Sequence, residues 1–169
     1  MIELVIGGAR SGKSAYTETQ AAASGLAVVY VATGEAHDAE MTERIAHHRA
    51  RRPAAWRTVE EPLALADTLA REASPERCLI VDCLTLWLSN VLLSRREEEI
   101  ERLFAALPRF PGRIILVSNE VGWGIVPDNA LARRFRDEQG RLNQRIARLA
   151  ERVTLVVAGL PLVLKDRAV

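Results

Sequence analysis

The sequence has few cysteines, almost no net charge and no apolar run long enough to cross a bilayer. Its two cysteines, Cys78 and Cys83, have a spacing that fits neither a disulfide framework nor a zinc knuckle. A formal net charge of +1 provides no global attraction to nucleic acid or to an anionic membrane. The first residues enter an apolar strand without the features of a secretory leader. We therefore expect a cytoplasmic protein with reduced, buried cysteines, no membrane span and no nucleic-acid partner.

The sequence does have the composition of an ordinary globular protein, with 169 residues of which 49% are hydrophobic and 27% charged. No repeat, low-complexity segment or internal linker divides it, so residues 1–169 are predicted to form a single domain. Apolar runs alternate with helical patterns, which predicts an α/β fold with a mostly parallel sheet and helices on both faces. The predicted strands are 2–6, 26–32, 56–59, 77–82, 113–118, 153–158 and a short 162–164; the predicted helices are 14–23, 39–51, 62–73, 84–93, 95–107 and 131–152.

The first motif is Gly-x-x-x-x-Gly-Lys-Ser, placed between an apolar run and a helical segment. Glycines allow backbone angles that a Cβ forbids, so that successive N–H groups can face one anion. A chance glycine turn would not combine this spacing, the Lys-Ser pair and both flanking elements. We predict a P-loop that binds a nucleoside triphosphate, in which Lys13 reaches the β- and γ-phosphates and the Ser14 hydroxyl holds Mg²⁺. Its residues are Gly7, Gly8, Ala9, Arg10, Ser11, Gly12, Lys13 and Ser14.

A carboxylate follows the strand predicted at 77–82. Asp82 stands at the carboxyl end of this strand, and ligands of open parallel sheets bind at that edge. In a P-loop site this carboxylate helps to hold Mg²⁺. The alternative is that Asp82 is the N-cap of the helix predicted from residue 84.

Two adjacent histidines precede a group of arginines. In a helix, Met41, Ile45 and His48 share one face, so His48 is the histidine carried on the apolar stripe. A histidine in this position is commonly a core residue with a satisfied hydrogen bond. A neutral imidazole is also a competent nucleophile, and attack on an α-phosphorus would release pyrophosphate and leave a nucleotidyl-histidine. Guanidinium groups would neutralise the charge that develops on the phosphoryl oxygens, and the candidates are Arg49, Arg51 and Arg52.

Several longer stretches match one known family, and they are residues 7–14, 30–33, 40–48, 52–58, 119–127 and 131–145. On these stretches the chain resembles the bifunctional adenosylcobinamide kinase / adenosylcobinamide-phosphate guanylyltransferase of cobalamin biosynthesis. The P-loop is shared with many other proteins. The His-His segment and the Asn-Glu-Val-Gly loop are far more specific together, and the resemblance covers nearly the whole chain.

The resemblance implies a RecA-like P-loop NTPase fold and a homotrimer. It implies phosphorylation of adenosylcobinamide with ATP or GTP, then transfer of GMP from GTP to the resulting adenosylcobinamide phosphate. The transfer passes through a GMP-histidine, which maps onto His48, and Lys13 serves catalysis from the P-loop. The nucleotide-binding residues implied beyond 7–14 are Ala32, Thr33, Gly34, Arg49, Ala50, Arg51, Arg52, Glu60 and Asp82.

Other interpretations of the same residues remain open. Glu60 fits the donors of a guanine edge, and equally a charge that precedes a helix. The glycine-rich loop at 121–129, with Trp123, fits a wall for a flat corrin ligand or a tight connector. For the whole chain, the alternatives are a simple P-loop small-molecule kinase with a structural His48, and a nucleotide-dependent switch that transfers nothing.

Overall fold

A computed structural model describes residues 1–35, 43 and 53–167 of the chain. The predicted helix at 39–51, including His48, therefore lies outside the described residues except for Glu43. The described strands are β1 (Ile2–Gly7), β2 (Ala27–Ala32), β3 (Arg57–Glu60), β4 (Arg77–Asp82), β5 (Arg113–Asn119), β6 (Arg152–Val157) and β7 (Leu160–Asp166). The described α-helices are α1 (Lys13–Ala22), α2 (Leu65–Arg71), α3 (Leu84–Leu93), α4 (Glu98–Ala106) and α5 (Ala130–Leu149).

The strands form one sheet in the order β3-β2-β4-β5-β1-β6-β7, and all neighbours are parallel except β6 and β7. Gly7 at the end of β1 is opposite Asn119 at the end of β5. Ala32 at the end of β2 is opposite both Glu60 and Asp82. The carboxyl ends of the six parallel strands, β1 to β6, therefore lie at one edge of the sheet, which we call the carboxyl edge.

Both faces of the sheet are buried. On one face, side chains such as Leu4 and Leu116 pack against α2, α3, α4 and α5, with Trp87 and Leu103 fully buried between them. On the other face, Val5 and its neighbours pack against α1. Burial on both faces explains why the central strands are mostly apolar and do not alternate between apolar and polar residues. The prediction of an α/β fold with helices on both faces is confirmed.

Several predicted boundaries differ from the structure. The helix predicted at 62–73 begins only at Leu65, since the Glu61 carboxylate accepts hydrogen bonds from the N–H groups of Leu63 and Ala64 just before it. The helix predicted at 131–152 ends at Leu149, because Ala150 is extended and leads into β6. The short strand predicted at 162–164 is the full edge strand β7.

The two cysteines are free and buried, as expected. Burial is the main reason why the pKa of Cys83 is raised to about 11, with a further contribution from the neighbouring Asp82 carboxylate. Within the described part of the chain, no helix combines the length and apolar character that crossing a bilayer requires.

Candidate functional site

The loop between β1 and α1 requires glycine at two positions. Gly7 has a φ of 155°, and a Cβ there would lie 2.4 Å from the Val156 carbonyl oxygen. Gly12 has a φ of 99°, and its Cβ would lie 3.0 Å from the Cα of Gly159. Gly8 needs no such freedom, because a Cβ there would meet nothing within 4 Å, and Arg10 takes a left-handed angle instead. Of the three glycines in the motif, only Gly7 and Gly12 therefore need the backbone freedom that the sequence predicts for this loop.

The N-terminus of α1 is open to an anion. The helix begins at Lys13, directly after Gly12, with no side-chain cap and no acidic residue in its first turn. The first N–H groups of a helix have no partner within it and carry partial positive charge. Lys13 is 8% exposed, and its Nζ donates to the Gly8 carbonyl oxygen at 2.6 Å. Burial lowers the pKa of Lys13, while electrostatic interactions with the nearby Cys83 and Asp82 side chains oppose this shift.

Asp82 is held at the carboxyl edge by a tyrosine. The hydroxyl of Tyr30, on the neighbouring strand β2, donates a hydrogen bond to the Asp82 carboxylate. The N-cap residue of α3 is Cys83, without a side-chain cap hydrogen bond. The alternative that Asp82 caps this helix is therefore wrong, and its half-buried carboxylate faces the same edge as the P-loop.

The donor set at this edge suits a hard cation. Asp82 offers a carboxylate and Ser14 a hydroxyl, which are the oxygen donors that Mg²⁺ prefers. Among the residues that the structure describes, no group of three His, Cys, Asp or Glu side chains could hold a metal by itself. An ion at Ser14 and Asp82 would therefore take its remaining ligands from nucleotide oxygens and water, as magnesium does in phosphate-transfer sites.

Hydrogen bonds of Thr33 connect the end of β2 to the end of β4. Thr33 is fully buried, and its hydroxyl donates to the Cys83 carbonyl oxygen at 2.7 Å and accepts from the Cys83 N–H at 2.9 Å. Its carbonyl oxygen accepts from the Asn90 side chain at 2.9 Å. Both hydrogen bonds of the Thr33 hydroxyl are therefore made within the protein. We therefore expect Thr33 to shape the site, with Ala32 and Gly34 half-buried on either side of it.

The end of β5 lies between the P-loop strand and the strand that ends at Asp82. The Asn119 N–H donates to the Thr85 hydroxyl at 2.9 Å, and the Glu120 N–H donates to the Gly7 carbonyl oxygen at 3.1 Å. The backbone here is thus fixed from both sides. Glu120 is half-buried, and sequence reasoning did not include it among the site residues.

A buried polar network lies behind Glu120. The Asn143 side-chain amide donates to the Glu120 carboxylate at 3.0 Å, and its oxygen accepts from the Ser118 hydroxyl at 2.7 Å. Gln139 donates to Ser118 and, more weakly, to Asn143. The sequence carries a signal for this network, because Gln139 and Asn143 fall on the same helical stripe as Leu142 and Ile146. Two amides within an apolar stripe indicate buried polar partners.

The remaining predicted site residues fall into three groups. Ala9 and Arg10 are exposed at the outside of the P-loop, and Ser11 is half-buried. Glu60 is exposed at the end of β3, the outermost strand of the carboxyl edge. The residues that lie outside the described ranges are His48, Arg49, Ala50, Arg51 and Arg52. The structure thus brings together Gly7 to Ser14, Thr33 and Asp82, and it adds Tyr30 and Glu120.

A glycine-turned loop before an open helix N-terminus, with a carboxylate two strands away, defines a nucleotide-binding protein of the P-loop class. The chain is similar to the solved structure of an ATPase domain, with a TM-score of 0.56 over 98% of this chain and 77% of that one. The sequence identity is 9%, so this likeness concerns the fold alone.

The family model of cobinamide kinase / cobinamide phosphate guanyltransferase matches residues 3–164, and the chain belongs to this family. It is 61% identical to the bifunctional adenosylcobalamin biosynthesis protein CobP of Pseudomonas aeruginosa, over 98% of both chains. It is 40% identical to the bifunctional adenosylcobalamin biosynthesis proteins CobU of Salmonella typhimurium and of Escherichia coli. In both cases the match covers 98% of this chain and the whole of the relative.

Proposed function

We propose that this chain catalyses two successive steps of cobalamin biosynthesis. It phosphorylates the hydroxyl of adenosylcobinamide with ATP or GTP, and it then transfers GMP from GTP to adenosylcobinamide phosphate, with release of pyrophosphate. The observation that carries the proposal is the P-loop edge of the fold, with Lys13 and Asp82 in place, in a chain that matches the family from residue 3 to residue 164.

The P-loop residues bind the triphosphate in this proposal. The open N–H groups of α1 and the ammonium group of Lys13 stabilise the negative charge on the phosphate oxygens. The Ser14 hydroxyl and the Asp82 carboxylate would hold Mg²⁺, and the Tyr30 hydroxyl fixes the orientation of that carboxylate. The ion would supply charge neutralisation between the phosphates.

Recognition of guanine is assigned to the far end of the carboxyl edge. Strand spacings of about 4.8 Å place β3, and therefore Glu60, about 19 Å from β1. This separation supports a contact of Glu60 with a base and not with the phosphates. A carboxylate accepts two hydrogen bonds from the N–H groups of a guanine edge, which adenine does not offer.

The guanylyl transfer is assigned to His48 as the nucleophile, with Arg49, Ala50, Arg51 and Arg52 as contacts of the nucleotide. The protein mixed with GTP labelled at the α-phosphate should become labelled through an acid-labile bond. A His48→Ala protein should remain unlabelled, whereas His47→Ala, the matched control one residue away, should still take up label. Label on His48→Ala protein would exclude the nucleotidyl-histidine route.

The same labelling assay, together with a parallel assay that follows transfer of a labelled γ-phosphate to adenosylcobinamide, separates the alternatives. A simple P-loop kinase would phosphorylate adenosylcobinamide but form no labelled protein, with His48 then a structural residue. A nucleotide-dependent switch would bind or hydrolyse nucleotide without transferring phosphate or GMP. The assay is therefore run with adenosylcobinamide, with its phosphate and with neither.

We also propose a homotrimer. The support is an unusually apolar edge strand, β7, on which Leu160, Leu162 and Leu164 are each more than half exposed. A second copy of the chain would cover this surface, since exposed apolar edges are otherwise a risk for aggregation. Sedimentation equilibrium should give a mass of three chains, and Leu162→Lys should lower it.

A further inference from the structure

The two proposed steps differ in what their acceptors require. The kinase step uses a hydroxyl, which must lose its proton as the new P–O bond forms. The guanylyl step uses a phosphate that carries close to two negative charges at neutral pH and has no proton to lose on its attacking oxygen. A general base is therefore needed only for the first step, and neither Lys13 nor His48 has that role in the scheme above.

Carboxylates are the candidates for this base at the carboxyl edge. Among the described residues, five lie within three residues of the carboxyl end of a parallel strand: Glu35, Glu60, Glu61, Asp82 and Glu120. Glu61 accepts hydrogen bonds from two backbone N–H groups before α2, and Asp82 is assigned to the magnesium ion. Glu35 follows β2 and Glu60 ends β3, and these strands are about 14 and 19 Å from the P-loop strand by strand spacing. Glu120 follows β5, the direct neighbour of that strand.

The position of Glu120 is fixed by contacts on two sides. Its N–H donates to the carbonyl oxygen of Gly7, the first residue of the P-loop, at 3.1 Å. One carboxylate oxygen accepts from Asn143 at 3.0 Å, and Asn143 is itself held by the buried Ser118 and Gln139. The residue is half-buried, and Asn143 is the only hydrogen-bond partner of its carboxylate among the described residues. The second carboxylate oxygen is thus available to a substrate.

The loop that continues from Glu120 presents apolar side chains to solvent. Trp123, Ile125 and Val126 are 73%, 97% and 56% exposed. Exposed apolar side chains on one loop indicate a surface for a ligand. A large acceptor that lies on this loop would bring its hydroxyl to the P-loop past Glu120.

On these grounds, and resting on the proposed function, we propose that Glu120 is the general base of the kinase step. Its carboxylate takes the proton of the acceptor hydroxyl while the acceptor oxygen forms a bond to the γ-phosphorus. The bond from that phosphorus to the β,γ-bridging oxygen breaks, and the nucleoside diphosphate leaves. Asn143 is a positioning residue that holds one oxygen of Glu120 and directs the other to the acceptor.

The test is Glu120→Gln in the full chain. Glutamine keeps the shape of the side chain and the oxygen that accepts from Asn143, but it cannot take the proton. Phosphorylation of adenosylcobinamide is measured with ATP labelled at the γ-phosphate, and guanylyl transfer is measured as pyrophosphate release with adenosylcobinamide phosphate supplied. We expect kcat of the kinase step to fall about 10²- to 10³-fold, the usual effect of losing a general base, while the guanylyl step changes less than about threefold.

Glu35→Gln is the matched control, because it alters a carboxylate at the same edge three strands from β1. It should leave kcat of both steps within about threefold of the wild-type value. An unchanged kinase step in Glu120→Gln, or an equal loss of both steps, would overturn the assignment. A wild-type protein that performs neither step would instead refute the proposed function itself.

Discussion

The two edges of the sheet use charged residues in opposite ways. At the amino edge, four parallel strands begin with an arginine, and these residues are Arg57, Arg77, Arg113 and Arg152. They surround two buried glutamates: Glu72 pairs with Arg57 and Arg77, and Glu3 pairs with Arg113. At the carboxyl edge, the helix N-terminus has no side-chain cap and Glu120 has one side-chain partner among the described residues. Charged groups that pair with each other inside the protein stabilise its fold, whereas charged groups with an unused hydrogen-bond donor or acceptor can bind a ligand.

The largest expected effect belongs to the carboxyl edge. Lys13→Ala should lower the rate of both steps about 10³-fold, because one ammonium group serves both triphosphates. Burial lowers the pKa of Lys13, so the charged form is less favoured in the folded protein than in the unfolded chain. Its removal should therefore leave the melting temperature unchanged or higher at pH 7. Rate measurements check the expected loss of activity, and thermal melting checks the expected melting temperature. Intact guanylyl transfer in Lys13→Ala protein would disprove a shared site.

The opposite result is expected at the amino edge. Glu3 is fully buried, and its carboxylate accepts from Arg113 at 2.7 Å. Glu3→Gln should reduce the free energy of unfolding by about 3 kcal/mol, because it leaves a mostly buried guanidinium without its counter-charge. Urea denaturation measures this loss. The KM values for both nucleotides should stay within about twofold below the melting temperature, and a selective rise in KM would contradict the division between the edges.

The sequence predicted the carboxyl edge much better than the amino edge. The P-loop, Asp82 and the order of strands and helices could be inferred from local patterns. These patterns are the glycines that a turn requires, the spacing of the motif and the residue that follows an apolar run. The pairing of Glu3 with Arg113 joins residues 110 positions apart, and no local pattern marks it. The position of Glu120 is also set by distant residues, since its contacts are Gly7 and Asn143.

Redundancy at the amino edge can be measured with Arg57→Gln. The Arg57 side chain is 56% exposed, and Glu72 also pairs with Arg77 at 2.9 Å, a bond that should remain when Arg57 is changed. The loss of stability should therefore be only about 1 kcal/mol. The double variant with Arg77→Gln should cost more than the sum of the two single changes, because Glu72 then loses both close partners. Strict additivity in urea denaturation would show that the arginines act independently.

The smallest effect is expected away from both edges, where charges are exposed. Arg145 donates two hydrogen bonds to Glu101 and stacks 3.8 Å above the Phe104 ring. Glu101→Gln removes the ion pair but keeps the stacking, so it should cost less than about 1 kcal/mol. The hydrogen bond from Arg145 lowers the pKa of Glu101 in the folded protein. This contribution is therefore present above the ordinary pKa of glutamate and is lost as the pH falls through the folded value.

Urea denaturation of wild type and Glu101→Gln at pH 7 and pH 3 checks the sign. The difference between the two proteins should be visible at pH 7 and shrink at pH 3, and added salt should reduce it at pH 7 because exposed pairs are screened. Added salt should have less effect on the pair of Glu3 with Arg113, since Glu3 is fully buried. A difference for Glu101→Gln that survives both acid and salt would mean that the stacked Arg145 depends on its carboxylate partner. In that case the contacts that hold each arginine, and not its depth of burial, would determine how much its ion pair contributes to stability.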